Sequence, residues 1–298
     1  MMEPCVATVG TFDGVHIGHV AILEKLNSIS EEKGCMSRAI TFLNHPLSVI
    51  APERAPKWAV DRNITEKALE MLVDRVSEMN FTPQLAAMTA REFMQLLCER
   101  FNVTTLVMGY DNTFGSDRLS TREQYEAAGR DAGIEVVFVD AVTMPDGRPA
   151  SSSRLRKAVA AGNIDEVAAL LGHNPGYMAT VVEGKHLGRK IGFPTMNLEI
   201  DHSIVPPADG VYAVEALVDN PEKSYKGVLS IGNNPTVADG NKKTWELHIP
   251  ERKFGNMYGK FVSFKLLGKI RGIEKFDSID MLRKAIKNDI KTLDKYKI

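Results

Sequence analysis

The sequence predicts an α/β fold with a Rossmann-like parallel sheet in its first half, followed by a small antiparallel barrel or sandwich and a closing helix. Three observations predict it. Over residues 1–172, apolar runs of β-type residues alternate with helical patterns, which calls for parallel strands joined by crossover helices. From Tyr177 onward the runs are short, β-rich and separated by Gly and Pro. The last stretch, Ser278 to Tyr296, carries Ile279, Leu282, Ile286, Ile290 and Leu293 at helical spacing.

The first strand, Val6 to Val9, runs into Gly10-Thr11-Phe12-Asp13-Gly14-Val15-His16-Ile17-Gly18-His19. A helix then follows through Ala21, Ile22, Leu23, Leu26 and Ile29 and should stop near Gly34. A tight strand-to-helix turn leaves the first helical N–H groups unpaired and aimed at one point, where the dipole also favours negative charge. Gly10, Gly14 and Gly18 allow close approach of a phosphate chain, and His16 and His19, three apart, can donate hydrogen bonds to it. The run reads as a phosphate cradle. Paired histidines at this spacing can also hold zinc, but no third His or Cys stands nearby at a ligand-like spacing.

Composition bounds what the cradle belongs to. A length of 298 residues suits two domains, and 44% apolar with 25% charged residues is ordinary for a soluble globular protein. Lys and Arg number 37 against 38 Asp and Glu, so no global field argues for nucleic acid or an anionic membrane. Cys5, Cys35 and Cys98 are odd in number and widely spaced, which fits a reducing cytoplasm. No apolar run approaches the roughly 18 residues of a membrane span, and no signal peptide is expected before the first strand.

Further along, Met36 to Leu43 reads as a strand ended by Asn44-His45-Pro46, a loop that either lines a ligand or is structural punctuation. Ile64 to Val76 reads as an amphipathic helix and Phe81 to Ala86 as a connecting segment. Thr89 and Glu92 form a capping box for a helix through Phe101. The strand Thr104 to Gly109 leads into Tyr110-Asp111-Asn112-Thr113-Phe114-Gly115; a helix over Arg122 to Ala132 and a strand over Ile134 to Val142 follow. Parallel sheets bind ligands beyond their strand C-terminal ends, so Gly10–His19 and Gly109–Gly115 should converge on one crevice. Ser151, Ser152 and Ser153 cap the next helix, and Arg154 and Arg156 in its first turn make sense beside an anion. A helix over Asp165 to Leu171 and the linker Gly172 to Gly176 close the first domain, giving 1–172 and 173–298. Strands are expected at Tyr177–Val182, Gly210–Val218, Tyr225–Ile231, Lys243–Ile249 and Lys260–Leu267.

In the second half, Gly188-Arg189-Lys190-Ile191-Gly192-Phe193-Pro194-Thr195-Met196-Asn197-Leu198 sets basic residues between glycines, then two side-chain oxygens that can cradle phosphate and ligate a hard cation, or be only a turn. Glu246 stands between Trp245 and Leu247, so a carboxylate interrupts an apolar strand. Strand alternation alone allows Glu246 and His248 simply to face solvent.

The order G-T-F-D-G-V-H-I-G-H resembles the HxGH signature of the nucleotidylyltransferases, in its flavin adenylyltransferase version. Gly109-Tyr110-Asp111 resembles that family's G-Y-D-x-x-F-G loop, with Asn112 where an aromatic is more common. Ser151 to Arg156 resembles its S-S-T-x-I-R motif, with Ser153 for Thr and Leu155 for Ile. Asn44 stands near the His-Pro pair where the family usually has an acidic residue and a proline. G-R-x-x-G-F-P-T-x-N-L, with Met196 where Ala is usual, resembles the riboflavin kinase nucleotide loop. Gly210-Val211-Tyr212, Gly227 to Val237, Glu246-Leu247-His248 and Tyr258-Gly259-Lys260 agree with it, while Pro250 to Met257 lacks the family's aspartate-rich sequence. Nearly the whole chain thus resembles the bifunctional bacterial riboflavin kinase/FAD synthetases.

That resemblance implies a nucleotidylyltransferase domain followed by a kinase barrel, acting on riboflavin, FMN and FAD with ATP and Mg2+, without nucleic acid, membrane or an obligatory protein partner. It implies that Gly10, Phe12, Asp13, Gly14, His16, Gly18, His19, Gly109, Asp111, Ser152, Ser153 and Arg156 bind the nucleotide to be transferred, with His16 and His19 catalytic. Gly188, Arg189, Gly192, Pro194, Thr195, Asn197 and Arg271 would bind nucleotide or flavin in the kinase, Thr195 and Asn197 would hold magnesium, and Glu246 would be the catalytic base. Two alternatives stand beside the bifunctional enzyme: the same fold with one activity, and a flavin- or nucleotide-binding regulator. A Walker-type kinase or Rossmann dehydrogenase is disfavoured, since neither GxxxxGK[ST] nor GxGxxG occurs.

Overall fold

A computed structural model describes residues 3–184, 187–218, 223–233, 243–250, 252 and 254–298; the expected Asn234–Val237 and part of the loop 250–257 lie outside them. The chain divides into two compact units, Met1–Lys57 with Arg62–Ser152, and Trp58–Asp61 with Ser153–Ile298.

The first unit contains β1 (Cys5–Val9), α1 (Ile17–Lys33), β2 (Met36–Phe42), α2 (Leu47–Ile50), α3 (Arg62–Glu70), β3 (Arg75–Met79), α4 (Pro83–Ala87), α5 (Ala90–Phe101), β4 (Val103–Gly109), α6 (Arg122–Ala132) and β5 (Glu135–Val139). The strands form one sheet in the order β3-β2-β1-β4-β5, every pair parallel. β1 is buried along its whole length, as a strand covered on both faces must be. The strand order reverses between β1 and β4, so the loops leaving these two central strands start side by side. α1 ends at Gly34, in the left-handed region at φ 61°, and its N–H returns to Glu31 and Ser30. The Thr89–Glu92 capping box forms with both bonds.

Three expectations need correcting here. The helix expected over Ile64–Val76 ends at Glu70, and β3 begins at Arg75. Its residues Arg75, Val76, Ser77, Glu78 and Met79 show no apolar run because β3 is a half-exposed edge, held by pairing with β2 and by Asp74, whose Oδ2 accepts from the Ser37 N–H at 2.9 Å. The segment after Phe81 contains α4, capped by Thr82, which accepts from the Leu85 N–H at 3.2 Å. The strand expected to reach Val142 stops at Val139.

The second unit contains α7 (Ser152–Ala161), which starts at the division, then α8 (Ile164–Leu171), β6 (Gly176–Val182), α9 (Leu187–Lys190), β7 (Met196–Glu199), β8 (Gly210–Leu217), β9 (Ser224–Asn233), β10 (Lys243–His248), β11 (Phe261–Arg271) and α10 (Ile279–Thr292). Its strands close into an antiparallel barrel ordered β10-β7-β6-β11-β8-β9, which settles barrel over sandwich. Tyr177, Tyr212, Leu229, Trp245, Leu247 and Phe264 fill it, joined by Ile164 from α8. β7, a strand of four residues, was too short to read from sequence. Trp58 bridges to Ile204 in this unit, its N–H donating to Ser203 at 2.9 Å. Ser278 caps α10, and Arg271 pairs through two nitrogens with the buried Asp289 of that helix at 2.9 and 2.8 Å.

Candidate active sites

In the first unit, the turn between β1 and α1 is built from strained backbone. Gly14 sits at φ 84°, where only glycine is at ease, and Phe12 and Val15 both take φ 45°. A β-branched residue at positive φ is an outlier costing on the order of 1–3 kcal/mol, and such strain gathers where a loop must hold one shape. His16 is the N-cap of α1, yet its side chain does not cap the helix, and no acidic residue occupies the first turn. The imidazoles of His16 and His19 stack with centroids 3.7 Å apart and planes 18° apart, and the ring of Phe12 meets His19 edge-on at 5.2 Å. Nδ1 of His19 is buried and finds no hydrogen-bond partner among the described residues. Burial, then the neighbouring His16, holds the His19 pKa well below its ordinary value, so the ring is neutral at pH 7 and can offer an N–H. Asp13 is buried in the same turn.

The β4 exit loop lies beside this turn. Asn112 donates from Nδ2 to the Val9 carbonyl at 2.8 Å, and the Tyr125 hydroxyl both accepts from the Phe114 N–H and donates to its carbonyl, each at 2.9 Å. Gly109 packs against Ile22 of α1, and the Asp111 carboxylate lies on the same side of the loop. Asn44 proves structural: its amide donates to the Phe81 carbonyl at 2.9 Å and accepts from the Phe81 N–H at 2.8 Å, extending the β2–β3 ladder through a side chain. Nδ1 of His45 accepts from the Leu47 N–H at 3.1 Å. Ser152 and Ser153 open α7, where Arg156 donates to the Ser153 hydroxyl at 3.2 Å and Arg154 is paired with Glu166 at 2.8 Å.

In the second unit, the loop Gly188–Thr195 is drawn onto β10. The Phe193 N–H donates to the Gly188 carbonyl at 2.8 Å, closing a turn that includes Arg189 and Gly192. Thr195 donates from Oγ1 to Oε2 of Glu246 at 3.3 Å, and Asn197 is the cross-strand partner of Glu246. Trp245 and Leu247 point into the barrel; alternation therefore puts Glu246 and His248 outside, but the loop covers them, leaving Glu246 half-buried and His248 buried. Among the described residues, no group of three or more His, Cys, Asp and Glu is placed to hold a metal.

Comparison with known proteins decides the family. A family model described as FAD synthetase matches residues 1–154, and one described as riboflavin kinase matches 171–297. The chain is 35% identical to a bifunctional riboflavin kinase/FMN adenylyltransferase of Pseudomonas fluorescens over 96% of its own length and 91% of that relative's. The chain belongs to the bifunctional riboflavin kinase/FMN adenylyltransferase family. The relative of that name from Escherichia coli K12 gives the same identity and coverage. A crystal structure described as a macrolide-efflux protein from Streptococcus pneumoniae superposes with a TM-score of 0.90 at 30% identity, covering 99% of this chain and 95% of that one. Among the described residues no helix is long and apolar enough to cross a membrane.

Within this member of the family, two residues outside the expected site residues emerge. A Cβ on Gly184 would stand 2.0 Å from Nδ2 of Asn197, so the absence of a side chain there lets Asn197 reach its position. His248 bonds the Pro194 carbonyl at 2.8 Å. The sequence signal for His248 was its place two residues after Glu246, on the same strand face; Gly184 gave none.

Proposed function

We propose that this chain converts riboflavin to FMN with residues 173–298 and FMN to FAD with residues 1–172, using ATP in both steps. In the first step the ribityl hydroxyl of riboflavin attacks the γ-phosphorus of ATP, Glu246 takes the hydroxyl proton, and ADP leaves. The observation that carries this reading is the Thr195–Glu246 contact at 3.3 Å, which sets the candidate base beside the loop proposed to hold the triphosphate. Thr195 and Asn197 offer neutral oxygens beside the Glu246 carboxylate, a hard donor set that fits Mg2+ carried by ATP, whose charge would offset that of the phosphates. Gly188, Arg189, Gly192 and Pro194 complete the nucleotide loop, and Arg271, tied to Asp289, belongs to the same nucleotide/flavin set.

In the second step a phosphate oxygen of FMN attacks the α-phosphorus of ATP and pyrophosphate leaves. No covalent nucleophile is required, because positioning and charge stabilisation carry such transfers. The strained turn Gly10–Gly14, Gly18, the neutral ring of His19 and the ring of His16 stacked on it supply donors for the triphosphate; Gly109 and Asp111 contact the nucleotide, and Ser152 takes the pyrophosphate side. The enzyme works in the cytoplasm without nucleic acid, membrane or an obligatory protein partner, a reading its balanced 37 and 38 charges support. Incubation of the purified protein with riboflavin, ATP and Mg2+, followed by separation of the flavins, tests the whole reading: FMN and then FAD should accumulate. FMN alone would leave only the kinase, and unchanged riboflavin would refute the kinase step.

A further inference from the structure

We propose that His248 is a positioning residue for the kinase: its Nδ1–H fastens the Pro194 carbonyl and so holds Thr195 in register with Glu246. This rests on Thr195 and Glu246 forming the kinase site.

The ladder between β7 and β10 ends at Leu247 opposite Met196. Pro194 lacks an N–H and cannot extend a ladder, so the loop preceding β7 must be attached by other means. Two side-chain bonds provide it: Thr195 Oγ1 to Glu246 at 3.3 Å and His248 Nδ1 to the Pro194 carbonyl at 2.8 Å. They join neighbouring residues of the loop to alternate residues of one strand, closing a short ring that fixes both the hydroxyl and the carboxylate. The ring of Phe193 meets His248 edge-on at 5.6 Å and completes the cover. Burial holds the His248 pKa below its ordinary value, against the pull of the Pro194 carbonyl, so the ring is neutral. A neutral ring that donates to a carbonyl through Nδ1 carries its single proton there.

Substitution separates the donor from the bulk of the ring. His248→Phe keeps the contact with Phe193 and removes the donor. Asn carries an amide nitrogen at the same bond separation from the main chain as Nδ1, whereas Gln carries it one bond further out. FMN formation by His248→Phe and His248→Gln should show KM for ATP raised about tenfold, the usual cost of orphaning a buried carbonyl. His248→Asn should stay within about threefold of the parent. FAD formation from supplied FMN, measured on the same preparations, should be unchanged in all three. Glu246→Gln is run alongside. If it forms FMN normally, the site reading falls and this proposal with it. If Glu246→Gln collapses while His248→Phe keeps the parental KM, or if His248→Asn is as damaged as His248→Phe, the proposal alone is overturned. A parallel loss of FAD formation would show a folding role and overturn it as well.

Discussion

The side chain of Asn112 donates to the main-chain carbonyl of Val9 at 2.8 Å, tying the exit of β4 to the last residue of β1. Asn112 departs from the aromatic expected at its position, and the contact gives the departure a purpose. It sets the spacing between the loop bearing Asp111 and the turn bearing His16. Asn112→Ala leaves the Val9 carbonyl without this donor, a loss on the order of 1 kcal/mol in the placement of the loop. FAD formation from supplied FMN should fall roughly three- to tenfold, mainly through KM, with FMN formation unaffected. Steady-state kinetics on the two half-reactions provide the check.

His16→Ala should lower FAD formation by roughly 10²–10³, the usual loss when one transition-state donor is removed. The backbone of the turn survives, since its shape comes from Phe12, Gly14 and Val15. FMN formation by the same protein serves as the control for folding. Full adenylyl transfer in the variant would take His16 out of the mechanism.

Acid should weaken the first unit through His19. Its pKa in the folded protein lies well below 6.5 because of burial and the stacked His16, so below that pH the unfolded chain binds the proton more readily than the folded one. The stability it contributes is complete above the unfolded value and is lost as pH falls beneath it, by about 1.4 kcal/mol for each pH unit until the folded value is reached. Amide protection factors in β1 and β4, with the intrinsic pH dependence of exchange divided out, should therefore fall as the pH drops below about 6.5, and His19→Gln should flatten that dependence. An identical profile in the variant would assign the acid sensitivity elsewhere.

Glu246→Gln keeps the shape of the side chain and its contact with Thr195 but cannot take up a proton. FMN formation should fall by roughly 10²–10⁴ while FMN supplied directly is still converted to FAD. Equal damage to both reactions would contradict two separate sites.

Local chemistry made much of this protein legible before any coordinates. The helix stop at Gly34, the capping box at Thr89 and Glu92, the alternation of strands and helices and the motif runs around His16, Thr195 and Glu246 are written in neighbouring residues, and neighbouring residues decide caps, turns and periodicity. What the tertiary structure alone decided depends on partners distant in sequence. β3 exists because β2 offers it an edge, and β7 because β6 and β10 flank it. Asn44 and Asn112 became braces only when Phe81 and Val9 came within reach. His248, open to solvent by alternation alone, is buried because a loop more than fifty residues earlier folds over it. A side chain's type states what it can bond; only the closed fold states which carbonyl stands opposite.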